Sequence, residues 1–346
     1  LSSCAMGYLV TGATGFIGRF LIPELLKREG DIHVLVRPGA ESAGRFSGRA
    51  REWNGGDRVR PVRGDLGAPG LGIDPAWLAE HRGTIDHVFH LAAGYDLAAR
   101  GDGTRHLVDV AESLKAGLLH HVSTVEVAGA AEGLFTEDMF DEGQALSTPA
   151  QRARFEAERI VRESALPWRV YRPSIVIGHS RTGEIDRIDG PYYCFRLLRM
   201  GAQLPRILPV LVPELGETNM VPVDFVARAL DHIAHQPGSS ATTYHLVDPR
   251  RQSLAEALNL FADEAGAPHL VEVMPKRALD MVLRVPGASR LLPRVGVPRD
   301  VLQHSEFTCW FDCRHTTAAL TGTDIKVPPL AGYAPLIWKH WIENWA

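Results

Sequence analysis

The chain of 346 residues is 45% hydrophobic and 23% charged, with 37 Lys and Arg against 41 Asp and Glu. Seven Trp, seven Tyr and twelve Phe exclude a disordered chain, and a net charge of −4 lacks the basic surplus of a dedicated nucleic-acid binder. Length suggests about two domains around a large buried core.

Residues 8–10 read as a short strand running into a Gly-rich turn. Phe16, Ile17, Phe20, Leu21 and Leu25 then recur at helical spacing, and Pro23 predicts a mild kink. Strands follow at 32–36, 60–63 and 87–91; Leu107, Val110, Ala111 and Leu114 mark a helix face, and 119–123 is a fifth strand. A helix is predicted over 155–163 and a sixth strand over 169–177. This alternation predicts an α/β fold, a doubly wound parallel sheet of Rossmann type over 1–178, with a dinucleotide site at the strand carboxyl ends.

Beyond 178 the segments lengthen and Pro punctuates them, so 179–346 reads as a smaller substrate-binding or lid region, with 218–248 returning to the Rossmann body. A strand at 244–247 and a helix at 254–265 remain regular. Lys276, Arg277, Arg284, Arg290, Arg294 and Arg299 form a basic stretch. Two readings fit it: the solvated face of a lid, or a surface meeting a membrane or an acidic carrier protein. Four cysteines without a CxxC pair suggest a reducing compartment. Cys309 and Cys313, beside Trp310 and Phe311, read as buried strand rather than half a metal site, and His87, His90, His120 and His121 as strand residues; no metal is expected. The longest apolar candidate, 204–215, is broken by Pro205, Pro209 and Pro213, so no integral membrane segment is expected. With no signal-peptide pattern, the expected location is cytoplasmic. The start at Leu1 suggests processing or a domain cut from a longer chain.

The chemistry begins at Thr11-Gly12-Ala13-Thr14-Gly15-Phe16-Ile17-Gly18. Glycines at 12, 15 and 18 tighten the turn, admit a pyrophosphate close to the backbone and let helix and strand pack closely. Thr14, Phe16 and Ile17 complete the phosphate-binding helix start. The second strand ends in Val36-Arg37-Pro38, where an NAD site would place an acid. A fixed cation at Arg37, with Arg45 as second contact, favours the 2′-phosphate of NADP(H); the alternative is a solvated loop arginine.

These motifs, with Gly64-Asp65-Leu66, His90-Leu91-Ala92-Ala93, Ser123-Thr124, Tyr171-Arg172-Pro173-Ser174 and residues 221–226, resemble the extended short-chain dehydrogenase/reductase family. The segments from Phe311 to Thr316 and Val327-Pro328-Pro329 are similar to its fatty acyl-CoA reductase and thioester-reductase branch. The resemblance implies that Asp65, with Leu66, holds the adenine, that Ala92 and Ala93 line the cofactor cleft, and that Pro173 and Ser174 border the nicotinamide. It also implies a catalytic hydroxyl at Thr124, with Ser123 beside it.

The chain departs from that family where proton transfer is expected. Aligned on Phe155-Glu156-Ala157-Glu158, the family Tyr is Ala150 and the family Lys is Arg154. An upstream Asn is replaced by Arg100, and the stretch from 93 to 101 is short, as if a loop were deleted. Ala150 cannot carry a proton, whereas Arg154 keeps a charge that can bind ribose hydroxyls. Loss of general acid assistance costs roughly 10²–10⁴-fold. Tyr95 is the leading substitute donor, ahead of Tyr192, Tyr193 and His179. Glu126, read on a strand, is a candidate partner in a buried pair with Arg154 or Arg100.

Two functions therefore compete. One is an NADP(H)-dependent reductase of an aldehyde or acyl-thioester carbonyl, with an acyl chain sheltered by 204–215 and the substrate carried by CoA or an acyl carrier. The other is a catalytically degenerate member that binds the cofactor as a sensor or partner, or performs non-redox chemistry.

Overall fold

The computed structural model describes residues 6–91, 102–186, 190–238, 240–274 and 308–346. The chain forms two compact units, each assembled from three segments. The first comprises Leu1–Ser174, Asp224–Val247 and Phe311–Ile325; the second comprises Ile175–Val223, Asp248–Trp310 and Lys326–Ala346.

The first unit is built on a seven-stranded sheet. Its strands, β1 to β7 in chain order, are Gly7–Thr11, Asp31–Val36, Val59–Arg63, His87–His90, Leu118–Val122, Trp168–Pro173 and Thr242–Leu246. They lie in the order β7-β6-β5-β4-β1-β2-β3, every neighbouring pair parallel. A parallel sheet covered on both faces needs apolar residues on both, and all of β1 and β6 is buried. On one face Leu9, Val88, Leu119 and Val170 pack with Leu107, Val110 and Ala111 of helix Asp102–Ser113. The helix after β1 spans Phe16–Leu25 (α1), as the spacing predicts, and contains Pro23.

The helix read over 155–163 starts earlier, at Pro149, and runs to Arg162 (α2). Thr148 and Gln151 form a reciprocal capping box and Pro149 opens the first turn, a local signal that outweighs the polar composition of 149–154. The strand read over 169–177 is two strands broken at Ser174. Ser174 N bonds Leu246 O in the main sheet, whereas Ile175 N bonds Asn219 O in the second unit.

In the second unit Ile175–Ile177 pairs with Met220–Pro222, and Val210–Pro213 with Leu270–Met274. Helices Tyr193–Gly201, Leu254–Ala265 and Ala334–Asn344 enclose an aromatic core. Phe195 sits 4.6 Å from Phe261 and 5.6 Å from Trp341 between ring centroids. Cys309 lies buried on strand Cys309–Phe311, but its neighbour Trp310 is 46% exposed rather than buried, its ring covered by the Arg251 guanidinium. The basic stretch from Lys276 to Arg299 lies outside the described residues.

Candidate active site

The site is built from the carboxyl ends of the first unit's strands. At the end of β1, Gly12 takes a φ of 72°, which L side chains rarely adopt. Gly15 N donates to Gly12 O at 3.0 Å, closing the turn. A Cβ at Gly18 would stand 2.3 Å from Gly12 O and 2.6 Å from Ala13 Cα, so only glycine allows α1 to start this close to the strand. Gly15 caps α1 without a side-chain bond, and no acid lies in its first turn. Thr14, Gly15, Phe16 and Ile17 are at least partly exposed around that start. The result is a cluster of backbone N–H donors at a positive helix end, a ready anion site.

Beside it, Arg37 is exposed immediately beyond β2. Arg45 lies on the helix that follows, its exposed guanidinium 3.6 Å from Glu41 one helical turn away. Asp65 follows β3, with Oδ1 accepting from Gly67 N at 2.8 Å. Leu66 turns its side chain into the core, so only its backbone faces outward. Ala92, Ala93, Tyr95 and Arg100 lie outside the described residues. Leu91 N, just before them, donates to Thr11 O at 3.2 Å, which holds the end of β4 against β1.

Thr124 stands just beyond β5 and caps a 3₁₀ turn at Val125–Ala128, Oγ1 accepting from Glu126 N at 3.3 Å. Glu126 therefore lies on that turn and not on a strand. It does meet Arg154, Nε to Oε2 at 3.5 Å, but the side chains are 44% and 23% exposed, so the pair is half open to solvent rather than buried. Ala150 lies one turn before Arg154 on the same face of α2, in its first turn. Ser123 is buried beside Thr124, Ser174 buries a hydroxyl that completes no hydrogen bond, and Pro173 ends β6 in full burial. Of the other candidate proton donors, Tyr192 Oη is buried and accepts from Gly178 N at 2.8 Å. Burial also pushes that phenol well above its ordinary pKa, which makes it a packing residue.

One element escapes a reading of motifs. Beneath Thr124 and Arg154, Glu158 of α2 is fully buried against Arg172 of β6, at 2.6 and 3.0 Å, with Arg162 at 2.8 Å. Burial alone would raise the Glu158 pKa; the charge and hydrogen bonds of Arg172, with Arg162, hold it down at about 2. Arg172 also reaches Met139 O and His245 Nε2. These bonds fix α2, and with it positions 150 and 154, on the sheet. Glu158 stands in the charged run Glu156-Ala157-Glu158-Arg159, so the one signal along the chain is a charge at Arg172 within a β-rich stretch.

Residues 10–230 match the "Male sterility protein" family of NAD-binding domains. One chain of the linear gramicidin synthase of Brevibacillus parabrevis is 30% identical over 70% of this chain and 5% of its own length. An aldehyde reductase, lnbA, of Aspergillus flavus is 28% identical over 70% of the chain and 26% of its length. The chain thus spans well under a third of either relative. Among solved structures, the terminal R domain from the myxalamid PKS-NRPS biosynthetic pathway matches 99% of this chain and 92% of its own, at 27% identity and a TM-score of 0.79. No helix among the described residues is long and apolar enough to cross a membrane. The glycine turn that a β-carbon would block, the uncapped α1 start and these likenesses agree: the chain belongs to the male sterility NAD-binding family, an NAD(P)-binding domain of thioester- and aldehyde-reductase type in the extended short-chain dehydrogenase/reductase branch.

Proposed function

We propose that the chain is an NADP(H)-dependent reductase of an acyl-thioester or aldehyde carbonyl, the thioester presented on CoA or an acyl carrier. The observation that carries the reading is the turn over 12–18, where Gly18 brings an uncapped helix start against β1. The names of the relatives support the carbonyl class, and Arg37 supports the phosphorylated cofactor. With its pyrophosphate at this turn, a bound reduced cofactor would supply a hydride. Thr124 offers its hydroxyl to the carbonyl oxygen, with Ser123 behind it. Arg154 holds ribose hydroxyls and adds a fixed positive charge near the developing oxyanion. A guanidinium keeps its protons and Ala150 has none to give, so Tyr95 or water delivers the proton. Asp65 and the Leu66 backbone take the adenine, Ala92 and Ala93 the cleft, and Pro173 and Ser174 the nicotinamide edge.

A second reading, cofactor binding without turnover, is favoured by Ala150 and by the Glu126–Arg154 pair, which gives the cation a partner within the protein. The exposure of Ile207 and Leu208, at 88% and 62%, also gives 204–215 no shelter of its own for an acyl chain. Loss of NADPH absorbance in the presence of aldehydes and acyl thioesters separates the two. The reductase reading expects slow turnover that rises by about 10²-fold or more in an Ala150→Tyr/Arg154→Lys variant. Absence of turnover in both proteins, with NADPH still bound, would establish the second.

A further inference from the structure

In the second unit, strand Val210–Pro213 runs parallel to Leu270–Met274, with Val210 opposite Leu270 and Leu211 opposite Val271. Register partners share a face of a sheet, and successive residues alternate between faces. Leu270 packs against the aromatic core, so Leu211 and Val271 point away from it, and both are exposed. The outer face of this small sheet is therefore apolar. The chain leading into it continues the pattern. Helix Tyr193–Gly201 turns Phe195 and Leu198 into the core and leaves Met200 exposed; Leu204, Ile207 and Leu208 follow, all exposed. Hydrogen bonds order this run: Leu204 N donates to Gly201 O at 2.9 Å, Leu208 N to Pro205 O at 3.1 Å, and Val210 N to His269 O at 2.8 Å. A single exposed aliphatic side chain needs no explanation, but a set of them on one ordered ridge marks a contact surface.

We infer that this ridge docks the protein on a lipid bilayer, inserting Ile207, Leu208 and Leu211 into the interfacial zone. Two features favour lipid over a protein partner. Ile207, 88% exposed, stands clear of its surroundings as a knob. Anchors that fill a partner's pocket are mostly Trp, Tyr or Arg, whereas the exposed apolar residues from Met200 to Leu211 are Met and aliphatic, which suits a deformable hydrocarbon medium. The second feature is charge. Arg196 and Arg199 lie exposed on the helix that leads into the ridge, three residues apart, with no ion-pair partner among the described residues. Cations beside an apolar knob match the layering of a bilayer, in which headgroup phosphates lie above the acyl chains. Arg206, by contrast, is held by Asp263 at 3.5 Å, and exposed Glu214 and Glu264 limit the positive surplus. Apolar insertion thus carries most of the binding, and the two free arginines add a preference for anionic lipid.

Cosedimentation of the intact protein with small vesicles tests this without any need for turnover. Vesicles of phosphatidylcholine should bind it, and vesicles of equal parts phosphatidylcholine and phosphatidylglycerol should bind it more tightly. The double variant Ile207→Asp/Leu208→Asp should weaken both at least about tenfold. Its urea midpoint should not move, because both side chains lie outside the core. Arg196→Gln should weaken binding to the mixed vesicles about fivefold and leave the neutral ones within about twofold. Failure of the unmutated protein to bind either vesicle overturns the proposal, and so does binding that the aspartate pair leaves unchanged. A dimer of the unmutated protein in light scattering, dissolved by the aspartate pair and accompanied by no vesicle binding, would assign the ridge to a second copy of the chain instead.

Discussion

The two units solve the same problem, filling a core, with different chemistry. Among the described residues every buried polar or charged side chain except Thr218 belongs to the first unit. That unit buries Glu158, Arg172, Glu137 and a series of histidines, including His90, His120, His121 and His245. The second unit fills its centre with Phe195, Phe261, Trp338 and Trp341. A buried ion pair stabilises little by itself and is costly to break, while an aromatic core depends on area and fit. The first unit should therefore be sensitive to charge and acid, and the second to volume.

The largest expected effect tests the charged side of that contrast. Arg172→Met leaves the fully buried Glu158 with Arg162 alone and should cost about 3–5 kcal/mol in urea unfolding. Pairing it with Glu158→Gln should recover much of the loss. A single-variant cost below about 1 kcal/mol would mean that buried charge does not hold this unit together.

Acid should have the next largest effect. Burial holds His33, His87 and His121 near pH 4 and His245 near 3, against 6.5 in an unfolded chain. Between pH 6.5 and 4 the unfolded chain thus binds more protons, so the stability these groups give is complete above 6.5 and is lost as pH falls through the folded values. Glu158, near 2 when folded and 4.5 otherwise, adds a loss of the same sign at lower pH. Glu137, raised by burial, works in the opposite direction. Hydrogen exchange should show β2, β4, β5 and β7 losing protection from pH 6.5 to 4 before helix Leu254–Ala265 does. The reverse order would break the comparison.

The smallest effects should be equal in the two units. Thr148 and Ser253 each close a capping box, and Thr148→Ala and Ser253→Ala should each cost about 1 kcal/mol of thermal or urea stability. Unequal costs would show that tertiary surroundings, rather than the local turn, set the value of a cap.

What is legible along the chain is mostly local. The turn over 12–18 and helix Leu254–Ala265 are written in short stretches of glycine, capping residues and apolar period, and the structure places both as expected. The start of α2 escapes because its capping box precedes any apolar period. The break at Ser174 is hidden because β-rich composition continues across it, while the hydrogen-bond partners change from Leu246 to Asn219. The Glu158–Arg172 pair joins a helix to a strand, and spacing along the chain does not reveal that the two side chains face each other.

Glu137 has a consequence for synthesis. Its buried carboxylate accepts from His245 N at 2.8 Å, from Thr316 N at 3.1 Å and Oγ1 at 2.9 Å, and from His315 N. The last of these donors are made 179 residues after the group they satisfy. At roughly 5–20 residues per second, a ribosome needs on the order of 10–40 s to deliver them. During that interval Glu137 has only His245 N as a donor once β7 is made, and a chain released before residue 315 would lack the donors that His315 and Thr316 bring to this buried acid.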